Sequence, residues 1–176
     1  MAVKVELLSQ TKLPKSVEAD VQAVLRSVPR EHLRGLERIR LVDKISDPRV
    51  KTNSAALPGL YHPKQGAQPA WLEVATEVLL PPNSFFKRLV PRLSFKNNLA
   101  AVIISLVGQH YYLTLRHSIK RSQIEAAVRL YTERHLRVWH EQQHSLRARL
   151  FRPLQPTMEK WARALQKRAQ AANKKK

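Results

Sequence analysis

The segment Leu99-Ala100-Ala101-Val102-Ile103-Ile104-Ser105-Leu106-Val107 constrains this chain more than any other. It is apolar on every side except at Ser105. A helix that is apolar all round has to be buried, and this run is too short to cross a bilayer, which takes about 20 residues. The pattern predicts a central buried helix from Leu93 to about Ser118. Apolar residues make up 43% of the chain, enough for a real core and too many for a disordered basic protein.

The elements around that helix follow from spacing. Pro14 to Val28 reads as a helix, with Val17, Val21, Val24, Leu25 and Val28 on one face and Pro29 as its stop. Arg38 to Val42 alternates as a strand does, and Gly59 to His62 reads as a second short strand before the Pro63–Gly66 turn. Trp71 to Val74 fits a third strand that runs into irregular chain, and Pro81-Pro82-Asn83-Ser84 is a break. Gln123 to about Phe151 reads as a long helix with a core stripe of Ile124, Val128, Tyr131, Val138, Leu146 and Leu150. Pro153 and Pro156 end it, and Thr157 caps a last basic helix that runs toward Ala172. The expectation is an α+β fold: a small N-terminal sheet of two or three strands, then a half rich in helices. It divides into a compact domain over 1–153 and a basic helix with a lysine tail over 154–176.

That order of elements, with certain residues, resembles the minimal zincin fold of small, gluzincin-like metallopeptidases. In those proteins strands precede a buried helix that carries H-E-x-x-H, and the next helix supplies a third ligand. Here Ala100 to Ile104 leads into Ser105-Leu106-Val107-Gly108-Gln109-His110, which is similar to an H-E-L-G-H-H helix at Gly108 and His110. Leu57-Pro58-Gly59-Leu60-Tyr61 and the strand at Trp71 also match. Glu125 lies where a third ligand would fall, and the resemblance spans roughly residues 30 to 150. The chemistry is degenerate. Ser105 replaces the first histidine, Leu106 the general base and Gln109 the second histidine. Zinc needs about three protein ligands and a water, and hydrolysis needs a base for that water. The resemblance therefore implies a catalytically dead scaffold, a pseudoenzyme.

An intact H-E-x-x-H stands elsewhere, at His140-Glu141-Gln142-Gln143-His144. Two histidines one turn apart can meet one zinc, with Glu141 as base and Glu159 as the nearest downstream carboxylate. Its setting argues for a solvated helix face: His140 lies about 200° from Val138 around the helix, and Arg137 and Arg147 are its neighbours. His110 and His117 share a face of the central helix and read as packed core histidines. Asp43 and Asp47 flank Ser46, which reads as a turn rather than an acid–base pair. Without cysteine, disulfides, Cys-ligated metals and thiol nucleophiles are excluded.

Charge supplies the functional expectation. The chain has 32 Lys+Arg against 13 Asp+Glu, a formal +19, and such self-repulsion costs folding free energy unless an anion is bound. Residues 137–176 alone carry a net +9, from eleven basic and two acidic side chains. Arg147, Arg149, Arg152, Lys160, Arg163, Lys167, Arg168, Lys174, Lys175 and Lys176 form the expected nucleic-acid surface, binding phosphates through Coulomb attraction and counterion release. The expected protein is thus a non-enzymatic, basic nucleic-acid or ribonucleoprotein binder, RNA favoured, without a cofactor. The alternatives are a zinc metallopeptidase using His140, Glu141 and His144, and a subunit that docks an acidic protein. An anionic membrane fits less well, because Trp161, Ala162, Leu165 and Ala169 make only a small apolar face. MAVKVELLSQ lacks the apolar run of a signal peptide, which fits the cytoplasm.

Overall fold

The computed structural model describes residues 3–46, 57–80, 85–116 and 121–151, with backbone alone for 85–93, 121 and 144–151. The architecture is α+β. Four strands, β1 (Lys4–Leu7), β2 (Leu36–Val42), β3 (Gly59–His62) and β4 (Ala70–Ala75), form one sheet in the order β1-β2-β4-β3. The helices are α1 (Val17–Ser27), α2 (Thr76–Leu79), α3 (Phe85–His110) and α4 (Ile124–Phe151). Residues 1–139 and 140–176 cluster as separate units, and the boundary falls within α4. The expected boundary at 153/154 lies outside the described residues.

β1 and β2 pair in parallel, as do β2 and β4, whereas β3 returns antiparallel to β4. A parallel pair needs a crossover, and α1 supplies the one between β1 and β2. Its stripe of Val17, Val21, Val24 and Leu25 is buried, with Val28 just beyond it. In β2, Ile39 and Leu41 are fully buried and alternate with the half-exposed Arg38 and Arg40. Register carries this division across the sheet: Leu72, Val74 and Tyr61 share the core face, and Trp71, Glu73 and His62 share the other. On that other face, His62 stacks on Trp71 at 3.7 Å and the Arg40 guanidinium sits 4.7 Å from the indole centroid.

The apolar run is the middle of α3, as expected. Phe95, Leu99, Ala100, Ile103, Ile104, Leu106 and Val107 are buried, and burying each large aliphatic or aromatic side chain here contributes about 1.5–3 kcal/mol. Gly59 of the edge strand lets the sheet approach this helix. A Cβ there would stand 2.8 Å from Leu106 Cδ1 and from Val102 Cγ1. Gly108 does the same for the next helix, where an added Cβ would lie 2.8 Å from Tyr131 Cδ1.

Five details differ from the sequence pattern. β1 adds a fourth strand, and Thr76–Leu79 closes into a helical turn where irregular chain was expected. α3 starts at Phe85 rather than Leu93 and widens after His110 into a π-helical turn over Tyr111–Leu115, with Arg116 N–H donating to the Tyr111 carbonyl at 3.0 Å. The buried seam of α4 runs through Val128, Tyr131, His135 and Trp139, not through Val138, and Gln142 is exposed. The expected and observed seams agree at Val128 and at Tyr131, which packs on Gly108, and part after them at His135 and Trp139, while the side chains of Leu146 and Leu150 lie outside the described residues. His140 is half-buried. The last helix expected from Thr157 lies outside the described residues, and no helix among those described is long and apolar enough to cross a membrane.

Candidate functional site

A cleft of about 530 Å³ lies between α3 and α4. Ser105 and Gln109, one helical turn apart on α3, line one wall, and Leu113 of the π-helical turn extends it. Glu125, Val128, Arg129, Thr132 and Glu133 recur at intervals of one to four residues along α4 and form the other wall. Three of the four positions that the zincin resemblance singled out, Ser105, Gln109 and Glu125, therefore face one space. The fourth, Leu106, does not. It is 3% exposed, and its side chain packs toward Gly59 of the edge strand.

The chemistry available in this cleft is limited by residue type. The Ser105 hydroxyl and Gln109 amide are neutral groups, and among the described residues no histidine lines the space to deprotonate Ser105. Thr132 donates its hydroxyl to the Val128 carbonyl at 2.7 Å, as a helical threonine commonly does. Glu125 and Glu133 are exposed and stand about 12 Å apart along the helix axis at the usual rise. Among the described residues, no group of three His, Cys, Asp or Glu side chains gathers as a metal site would need.

A buried network that the sequence pattern did not resolve centres on His110, the last residue of α3. His110 is fully buried. Its Nε2 is 2.9 Å from the Arg34 carbonyl oxygen, and its Nδ1 is 3.1 Å from the Tyr61 hydroxyl. A carbonyl only accepts, so Nε2–H is the donor. Burial pushes the His110 pKa down and keeps the ring neutral, so Nδ1 accepts from Tyr61 O–H. The Tyr61 oxygen then accepts from Thr114 at 2.7 Å. Every proton in the chain has one direction. A second cluster joins His32, Tyr111, Tyr131 and His135. His32 Nδ1 and the Tyr131 hydroxyl are 2.9 Å apart, and the His135 ring lies 4.2 Å from that of Tyr131. Burial lowers the pKa of both histidines and raises that of Tyr131. The one sequence signal for these clusters was the placing of His110 on a buried helix; the other partners come from distant elements.

The other expected site residues are placed as follows. His140 is half-buried and Glu141 exposed. The side chains of His144, Arg147 and Arg149 lie outside the description, as do Arg152, Glu159, Lys160, Arg163, Lys167, Arg168, Lys174, Lys175 and Lys176 altogether. His117 and Asp47 fall outside it too. Trp139 is 1% exposed and is a core residue, out of reach of a nucleic-acid base. Asp43 accepts hydrogen bonds from the Ser9 and Thr11 hydroxyls at 2.6 and 2.7 Å and from the Gln10 and Thr11 amides at 3.0 Å. The Ser9 bond foremost, then Thr11, holds its pKa far below the ordinary carboxylate range. Asp43 thus staples the ends of β1 and β2 and has no proton to trade.

Several of the described carboxylates, on strands and on helices, are engaged locally. Glu6 meets Arg40 at 2.9 Å and Lys4 at 3.2 Å, and these bonds lower its pKa. Asp20 meets Lys96 at 2.9 Å, Glu77 meets Lys44 at 3.2 Å, and Glu73 accepts from His62 at 2.9 Å. These pairs neutralise few of the cations that make the chain +19. Comparison with protein-family models, curated sequences and solved structures finds no match to this chain.

Proposed function

We propose that this protein is a non-enzymatic, strongly basic binding protein that docks on RNA or a ribonucleoprotein, built on a catalytically dead zincin-like scaffold. The observation that carries the reading is the uncompensated +19 charge. The chain has 32 basic against 13 acidic side chains, so even with every acid paired most of the cations have no internal counter-charge, and an external polyanion is the partner that relieves them. The scaffold reading is supported by strands that precede the buried α3 and by the shared cleft of Ser105, Gln109 and Glu125. Of these three only Glu125 is a metal-type donor, and it would have to serve as ligand and as base at once.

The test is binding of a fluorescent single-stranded RNA across a salt series. Affinity should fall steeply with salt, by about 0.7 log units per log unit of salt for each phosphate neutralised. Reversing Lys160, Arg163, Lys167 and Arg168 to Glu should abolish binding. Equal affinity in this variant, or binding insensitive to salt, would refute the reading. A complex with an acidic protein and no affinity for RNA would instead favour a protein-interaction subunit.

A further inference from the structure

We infer that the compact domain itself holds a docking site for the phosphate backbone of single-stranded RNA, formed by Arg26, Arg30 and Arg34; this rests on the proposed function and places a second contact surface outside the basic C-terminal region. The three arginines line one concavity of about 1330 Å³ at the base of the sheet. All three are exposed, and none pairs with a carboxylate among the described residues. Leu33, Leu36 and Pro69 give the same concavity an apolar floor. Arginines on a rim above an apolar floor suit a nucleotide chain, with phosphates on the guanidinium forks and bases or sugars on the floor. The volume exceeds that of a typical small-molecule pocket, about 300–1,000 Å³, and so favours a chain over a single nucleotide.

The 3-10 turn Arg30–Leu33, with Arg34 as its C-cap, is anchored from inside. His32, between them, bonds the buried Tyr131 hydroxyl at 2.9 Å, and the fully buried His110 donates to the Arg34 carbonyl at 2.9 Å. Two internal histidines thus fix the backbone while its arginines point outward, and a fixed loop loses less entropy on binding. Two carboxylates share the rim. Glu37 lies 3.8 Å from Arg38, and Glu31 has no ion pair among the described residues. Glu31 therefore opposes a bound phosphate.

The experiment measures binding of a fluorescein-labelled oligouridylate to the full chain over a salt series. Changing Arg26, Arg30 and Arg34 together to Gln should weaken binding roughly tenfold and reduce the salt slope by about two units. Because all three are exposed and the chain is +19, the melting temperature should not fall. Glu31→Gln should tighten binding several-fold, an effect that loss of folding could not produce. If the triple variant binds as the wild type does while the C-terminal reversal loses affinity, this site is refuted and the proposed function stands. If the wild type does not bind the oligouridylate, both fall. If the triple variant loses binding of uridine monophosphate but keeps that of the oligomer, the concavity serves free nucleotides, and RNA docking is overturned.

Discussion

His110 shows how a single acceptor fixes a proton chain. The Arg34 carbonyl can only accept, so the tautomer of His110 and the directions of Tyr61 and Thr114 follow from it. Gln offers one N–H and one carbonyl in similar places, so His110→Gln should fold while losing a titrating group. The sign of the acid response is set by burial, which lowers the pKa of His32, His110 and His135 below the ordinary 6.5. Glu31 opposes the shift at His32, and His32 and Arg134 add to it at His135. The unfolded chain therefore binds more protons, so stability is full above about pH 6.5 and declines as pH falls below it. A thermal-melt series from pH 7.5 to about 5 checks this, and His110→Gln should show the shallower decline; an identical decline would mean His110 does not titrate. Asp43 acts in a lower window. Its pKa is depressed from 3.8, so its contribution is full above about pH 3.8 and is lost as pH falls further. Asp43→Asn should remove that lower step from the melting curve.

Elements were legible where a long pattern repeats and illegible where pairing comes from afar. The α1 stripe of Val17, Val21, Val24 and Leu25 matches its buried face because the segment is amphipathic over several turns. β1 offers only Lys-Val-Glu-Leu, four residues whose strand character depends on pairing with β2. The α4 seam was misread because His135 is polar in sequence and buried in structure, and because Val138 and Trp139 are adjacent apolar residues, of which the larger is the one buried. Trp139→Ala should therefore cost about 3–5 kcal/mol in urea unfolding, and Val138→Ala much less. The approach of β3 to α3 gives a second test. Gly59→Ala places a methyl 3.1 Å from the Glu73 carbonyl oxygen as well as against Leu106 and Val102. Backbone cannot yield as a side-chain tip can, so a loss of about 1–3 kcal/mol is expected. Unchanged stability would mean the strand lifts away freely.

The molecule as a whole divides the candidate sites by how they are encoded. The shared cleft of Ser105, Gln109 and Glu125 was anticipated through the zincin resemblance, which set these three residues at ligand positions on consecutive helices. The concavity of Arg26, Arg30 and Arg34 was not, because a helix end and a loop meet there only after α1 has crossed the sheet. Charge acts above both. At +19 the folded chain repels itself more strongly than the expanded one, since folding brings the cations closer together. Screening shortens the reach of that repulsion from about 30 Å at 0.01 M salt to about 8 Å at 0.15 M. The melting temperature of the free protein should therefore rise with sodium chloride over this range. RNA should raise it further at low salt, because a ligand of the folded state stabilises by mass action, and that increment should shrink as salt weakens binding. The two slopes have opposite signs, so one set of melts with and without RNA separates them. A melting temperature that falls with salt would show that the cations are already paired, and the argument from uncompensated charge would fail with it.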